Sequence, residues 1–431
     1  MNLLTDKLII EGRQKHLAPS LSISYDNPLH IVRGSGQYLY DNKGKEYLDG
    51  VNNIQHVGHC HPEVVRAARE QFGKLNTNTR YLDEIIVKYA IELTSLLPEQ
   101  LEICYFTNSG SESNDLALRI ARHFTSSKET IVLNGAYHGH TEALIEISPY
   151  KFDGPGGKGA MNFVHTVPMP DPFRGKHRGS KAANGYLSEL SKILTSLKKN
   201  GKRLGAIITE AIMGCGGQIV FPKGFLADAF AQVRQAGGLC IADEIQIGFG
   251  RMGSHFWGFE SEGAVPDIVT VGKSMGNGHP ISAVITTKEI ADSFNNGMEY
   301  FNSFGGNPVS CSVGRAVLQI IQKEELQKRA LEVGDYLINR FQNLKRKHSL
   351  IGDVRGRGLF IGIELNKNSK NLQPAGREAN LVINKMKDKG ILLSTDGPDH
   401  NVIKIKPPLA FNQQNADFLV ETLDSIITEI D

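Results

Sequence analysis

Between residues 63 and 310, short β-branched apolar runs alternate with longer amphipathic stretches, a rhythm that restricts the chain to a layered α/β architecture. The runs are Ile131-Val132-Leu133, Ala206-Ile207-Ile208-Thr209, Leu239-Cys240-Ile241-Ala242, Ile268-Val269-Thr270-Val271 and Ala283-Val284-Ile285-Thr286. Each is apolar at successive positions and bounded by Gly or polar residues, as expected of strands covered on both faces. A large domain over 58–315 is therefore expected, with a mostly parallel central sheet flanked by helices. The 431 residues also exceed what one core normally holds. A hairpin signal, Gln37–Tyr40 and Glu46–Asp49 around Asp41-Asn42-Lys43-Gly44, precedes it. A helix from Ser310 to about Gln322, strands at Ile361–Leu365 and Val402–Ile405, and a closing helix over 411–430 predict a smaller α+β domain. This domain spans 316–431, and the segment 1–57 joins it. The Gly-, Pro-, Lys- and Arg-rich stretch 150–182 reads as a long surface excursion.

Two of the strands end on groups of opposite charge. Asp243 closes the run 239–242, and Lys273 follows 268–271 after one glycine. In open α/β sheets the carboxyl ends of strands line the ligand crevice. A carboxylate and an amine there suit pyridoxal 5'-phosphate, whose aldehyde the amine captures and whose ring nitrogen the carboxylate keeps protonated. Taken alone, the pair reads first as a helix cap and a solvated lysine.

Neighbouring motifs add to it. Ser109 and Glu112 have capping-box spacing ahead of the amphipathic helix 114–122, which leaves first-turn amides free for an anion. Tyr137-His138-Gly139-His140, shortly after the strand 131–133, offers an aromatic ring for stacking. Phe301-Asn302-Ser303-Phe304-Gly305-Gly306-Asn307-Pro308 is a polar loop whose two glycines permit close backbone approach. His56, His59 and His61 have no carboxylate or cysteine partners at ligand spacing, so they read as a polar loop near a pocket.

Composition narrows the partners. The net charge of +2 gives no reason to expect nucleic acid or an acidic membrane. Five scattered cysteines show no disulfide or zinc pattern, and Cys104 and Cys240 sit in apolar runs as expected of buried thiols. The polar start lacks a signal-peptide core and no run is long enough to span a bilayer, so a cytoplasmic protein is expected.

The ordered set of phosphate cup, aromatic, strand-end Asp, strand-end Lys and Gly-Gly loop resembles the class III aminotransferase family of pyridoxal-phosphate enzymes, fold type I. The likeness runs from about residue 30 to the C-terminus. It implies that Lys273 is the catalytic lysine and that the cofactor contacts come from Ser109, Gly110, Ser111, Tyr137, His138, Glu210, Asp243, Gln246, Lys273 and Ser303. Ser303 stands where the family has a Thr that reaches the neighbouring subunit's cofactor, which implies a homodimer, or a tetramer, with sites at the interface.

Members that use 2-oxoglutarate place an Arg before a Pro-Pro-Leu motif and a Glu in a Gly-Glu-Ala-Gly segment. Here the matching positions are Lys404 and Cys215. Lys is a compact charge able to bind phosphate, whereas Arg forms a planar fork for carboxylates. Val51-Asn52-Asn53, His56 to Pro62, Leu75 to Arg80, Gly272 to Pro280, Leu392 to Pro398 and Lys404-Ile405-Lys406-Pro407-Pro408 resemble the ethanolamine-phosphate and 5-phosphohydroxylysine phospho-lyases. That resemblance implies elimination of phosphate and ammonia from a small phosphorylated amine. Substrate contacts would come from Lys404, then Arg80 and Lys406, and Asn53. Lys406 also reads as a guard residue on an edge strand. An ω-aminotransferase and a catalytically inactive cofactor-binding protein are the other readings open to the same residues.

Overall fold

The computed structural model describes residues 4–368 and 370–430. Its central sheet has seven strands, in the spatial order Ile103–Thr107, Ser282–Thr286, Ile268–Val271, Leu239–Asp243, Leu204–Thr209, Glu129–Leu133 and Val164–Val167. Ser282–Thr286 runs antiparallel to both neighbours, and the remaining pairs are parallel.

Strand periodicity sends successive side chains to opposite faces. Ile207, Cys240 and Val269 pack into one apolar cluster while Ile208, Ile241 and Ile268 pack into the other. Both faces are thus covered, which is why these strands read as continuous apolar runs. The helix Gly110–Thr125 covers one face with Leu116, Ala117, Ile120 and Ala121.

The smaller unit draws on both ends of the chain. Tyr38–Asp41 and Glu46–Asp49 form the expected hairpin, and Glu46–Asp49 pairs in parallel with Ile391–Leu392. A second sheet runs Ile351–Arg357, Phe360–Asn368, Val402–Ile405 and Ser394–Asp396. Helices Leu326–Lys347 and Gly376–Asp388 pack on it, and Gln413–Ile430 packs against both helices. The helix Pro308–Lys323 passes through residues 315 and 316. Among the described residues no helix is long and apolar enough to cross a membrane.

Two expectations need correction. The stretch 150–182 is not a simple surface excursion, because Val164–Val167 is the last strand of the central sheet and Asp171 is fully buried. Four strand residues among so many Gly and Pro leave little compositional trace. Nor is the strand carrying Lys404 an edge: Val402–Ile405 lies between Phe360–Asn368 and Ser394–Asp396. The edge-guard reading of Lys406 therefore lapses.

Candidate active site

Five strands of the central sheet deliver residues to one cavity of about 270 Å³ at their carboxyl ends. Ile103–Thr107 leads to Ser109, Gly110 and Ser111, and Glu129–Leu133 leads to Tyr137 and His138. Leu204–Thr209 leads to Glu210, Leu239–Asp243 ends on Asp243, and Ile268–Val271 leads to Lys273. Lys273 has a φ of +35°, outside the range a side-chain-bearing residue normally adopts. Such strain is retained where the surrounding fold aims a side chain at a task. Among the described residues none holds its Nζ by a hydrogen bond or ion pair.

The Ser109 hydroxyl caps the helix Gly110–Thr125 by accepting from the Glu112 amide at 3.2 Å. The Glu112 carboxylate reaches back to the Asn108 amide at 2.9 Å, one residue beyond the reciprocal box expected from the spacing. The amides of Gly110 and Ser111 have no intrahelical acceptor and sit at the positive end of the helix dipole. A Cβ on Gly110 would stand 2.8 Å from Ile245 Cδ1, so only glycine fits there without a shift. Tyr137 meets Tyr150 edge-on, with ring centroids 6.1 Å apart.

Asp243 is buried and rigidly held. Its Oδ2 accepts from Asn114 Nδ2 and lies against His138 Nδ1, both at 2.8 Å, and its Oδ1 accepts from the Ile245 amide at 3.2 Å. Asn114 is fixed in turn, because Thr270 donates to its Oδ1 at 2.6 Å and its Nδ2 also donates to the His138 carbonyl at 2.7 Å. His138 Nε2 is buried without a partner.

Glu210 forms the other wall. Its Oε1 accepts from the Gly214 amide at 3.0 Å and from Gln246 Nε2 at 3.4 Å, while its Oε2 is buried and unpaired. Burial, reinforced by the nearby Asp243 carboxylate, pushes the Glu210 carboxyl up to about 8. Gln246 Oε1 accepts from Asn53 Nδ2 at 3.2 Å and from Lys406 Nζ at 3.3 Å. Asp396 then takes both lysines, Lys404 at 3.2 Å and Lys406 at 3.3 Å. Burial opposes the charge on Asp396, but Lys406 and Lys404 outweigh it and hold its carboxyl below the ordinary value. Lys406 is pushed down by burial. Asp396 supports its charge, and Lys404 repels it.

The fold thus assembles Ser109, Gly110, Ser111, Tyr137, His138, Glu210, Asp243, Gln246 and Lys273 around one cavity, with Asn53 and Lys406 touching Gln246. Arg80 and Ser303 lie elsewhere. Arg80 is exposed, pairs with Glu299 at 3.0 Å and stacks over Phe301, and Ser303 sits on the exposed loop beside them. His56 and His59 are buried, against the Phe249 carbonyl and Asp49 respectively, and His61 caps the helix Pro62–Phe72. Cys240 is buried and Cys104 is half-buried.

Asn114, Thr270, Tyr150 and Asp396 escaped the reading of the sequence. Asn114 left a trace there, as a polar residue on the apolar stripe that continues through 117, 118 and 121, and Asp396 lies within the motif 392–398.

The residues present fit pyridoxal 5'-phosphate. Free amides would suit its phosphate, the buried Asp243 its ring nitrogen, Tyr137 its ring and the Lys273 amine its aldehyde, while Glu210 Oε2 leaves a buried polar atom to satisfy. The family model "Aminotransferase class-III" matches residues 21–427. An alanine–glyoxylate aminotransferase 2-like protein of Drosophila melanogaster is 48% identical, covering 97% of this chain and 87% of the relative. Ethanolamine-phosphate phospho-lyase homolog 1 of Caenorhabditis elegans is 42% identical, covering 97% and 93%. A phospholyase from Arthrobacter, solved in complex with phosphoethanolamine, superposes with a TM-score of 0.94 at 37% identity, over 98% of this chain and all of that one. The cofactor is accordingly pyridoxal 5'-phosphate, and the chain belongs to the class III aminotransferase family.

Proposed function

We propose that this protein is a phospho-lyase that releases phosphate and ammonia from a small phosphorylated amino alcohol, such as O-phosphoethanolamine, leaving an aldehyde. The observation that carries the reading is the sharing of one buried carboxylate, Asp396, by two lysines beside the cavity. Two ammonium groups against one carboxylate leave a positive charge over, and compact ammonium charges suit a tetrahedral phosphate better than a planar carboxylate. The phospho-lyase homologue and the Arthrobacter phospholyase support it. The Drosophila relative favours a second reading, transfer of the amino group to an oxo acid, which would use the same cofactor site.

In this reading the amides of Gly110 and Ser111 would hold the cofactor phosphate, Tyr137 would serve its ring, and Asp243 would keep its ring nitrogen protonated. His138, Glu210 and Gln246 complete the wall. Bound cofactor supplies an aldehyde that captures the substrate amine and a ring that withdraws electrons from the carbon beside it. Lys273 Nζ then takes the proton from that carbon, and the carbon–oxygen bond to phosphate breaks on the next one. Lys404 and Lys406 offset the charge on the departing phosphate. With one water consumed, O-phosphoethanolamine gives acetaldehyde, ammonia and phosphate.

Arg80 and Ser303 act, in the same proposal, on the site of a second copy. Exposed Tyr81, Leu82, Met298 and Phe304, close in the chain to Arg80 and Ser303, give that side an apolar surface suited to a homodimer. The test is to incubate the cofactor-loaded protein with O-phosphoethanolamine and no oxo acid, then assay phosphate and acetaldehyde. Both products are expected. No phosphate release, alongside turnover of an amine with glyoxylate, pyruvate or 2-oxoglutarate, would replace this reading with the aminotransferase one.

A further inference from the structure

We infer that Asp396 is a positioning residue that builds the phosphate subsite, holding Lys404 and Lys406 as a charged pair at the side of the cavity. The inference rests on the phospho-lyase reading. Asp396 closes the strand Ser394–Asp396, which pairs antiparallel with Val402–Ile405, so Lys404 is opposite Ser394 and Lys406 follows just beyond the strand. The two carboxylate oxygens divide the work. Oδ1 takes Lys404 and Oδ2 takes Lys406, while Gln218 Nε2 donates to Oδ2 at 2.8 Å and fixes the group.

An ammonium has three N–H donors. Lys404 spends one on Asp396, and Lys406 spends one on Asp396 and one on Gln246. Among the described residues, two donors on Lys404 and one on Lys406 have no protein acceptor.

The surrounding titratable groups preserve the excess charge. The groups facing Lys406 are Asp396, Lys404, Cys215 and Glu210. Burial pushes the Cys215 thiol up to about 12 and the Glu210 carboxyl up to about 8, so both are neutral near pH 7 and neither competes with Asp396. Lys406 is enclosed, with its ammonium 4.4 Å from the Phe360 ring centroid. Asp396 is the chief group opposing the loss of its charge on burial. Without that carboxylate, Lys406 would be an uncompensated buried cation, which proteins relieve by losing the proton.

The experiment compares cofactor-loaded wild type with Asp396→Asn, Asp396→Glu, Lys406→Met and the Asp396→Asn/Lys406→Met double variant, with O-phosphoethanolamine as substrate. Asp396→Asn is expected to raise KM about tenfold, with a smaller fall in kcat. The pH above which KM climbs is expected to move down by about one unit, because Lys406 then deprotonates earlier. Asp396→Glu restores most of the loss, and the double variant is no worse than Lys406→Met alone. A lowered KM in Asp396→Asn, an unchanged pH profile, or full additivity in the double variant overturns the inference. If wild type releases no phosphate, the phospho-lyase reading fails by itself. Calorimetric titration of inorganic phosphate into the cofactor-loaded protein then decides the subsite: binding weakened about tenfold by Asp396→Asn supports it, and absence of binding to wild type overturns it.

Discussion

Glu210→Gln should make the cofactor-free protein more stable at neutral pH. The carboxyl is 3% exposed, and burial with the Asp243 charge raises it from 4.5 to about 8. An acid raised in the folded state costs nothing below its unfolded value, and stability is lost as pH climbs from there to the folded value. At pH 7 the folded carboxyl keeps a proton that the unfolded chain has released. The gap from 4.5 to 7, at about 1.4 kcal/mol per pH unit, amounts to about 3 kcal/mol. Gln has the same shape and no charge. Its amide replaces a protonated oxygen whose position, Oε2, already lacks a partner, so it introduces no new unpaired group. The variant should match wild type near pH 4.5, gain about 3 kcal/mol by pH 7, and gain little beyond pH 8. Urea unfolding midpoints of the cofactor-free proteins across that range measure this. Equal stability at every pH, or a gap that closes as pH rises, would show that Glu210 is ionised in the fold and would refute the reasoning. The confirmed result would mean that a carboxyl is kept in the cavity wall at a cost in stability, as groups retained for function commonly are.

Lys273→Ala should abolish turnover and the visible absorbance band of the bound cofactor; a variant that keeps the band would refute the assignment of that amine. Asn114→Leu removes the donor to Asp243 Oδ2 and to the His138 carbonyl and the 2.6 Å acceptor of the Thr270 hydroxyl, leaving Asp243 to His138 and the Ile245 amide. Cofactor affinity should fall by about 2 kcal/mol, roughly thirtyfold, in a fluorescence titration, and an unchanged affinity would mean that His138 and the Ile245 amide suffice to hold Asp243.

Much of this protein was legible along the chain wherever local pattern and position coincide. The five apolar runs lie within strands of the central sheet, and Asp243 and Lys273 do stand at strand ends. Successive apolar positions declare a strand covered on both faces, and a parallel sheet exposes its carboxyl ends to the crevice. Val164–Val167 was lost because four residues between glycines and prolines carry too little pattern. Asn114 was recorded as part of an amphipathic helix, since nothing local says which polar residue on an apolar face finds a partner.

The tertiary structure alone decided which groups pair with one another around Asp243 and Lys273. The contact between Gln246 and Lys406 spans 160 positions and that between Asn53 and Gln246 spans 193, distances over which composition and periodicity carry no information about pairing. The resemblance offers Lys404 and Lys406 as substrate contacts, but only packing sets them on the two oxygens of Asp396. Arg80, grouped with the substrate contacts by motif, lies on an outer surface beside Ser303, the residue that the resemblance assigns to a neighbouring subunit's cofactor. Sequence determined the sheet and the two charged groups at its edge, because those follow from neighbours along the chain. The charge balance beside them follows from burial and from contacts between distant segments, which exist only once the chain has folded.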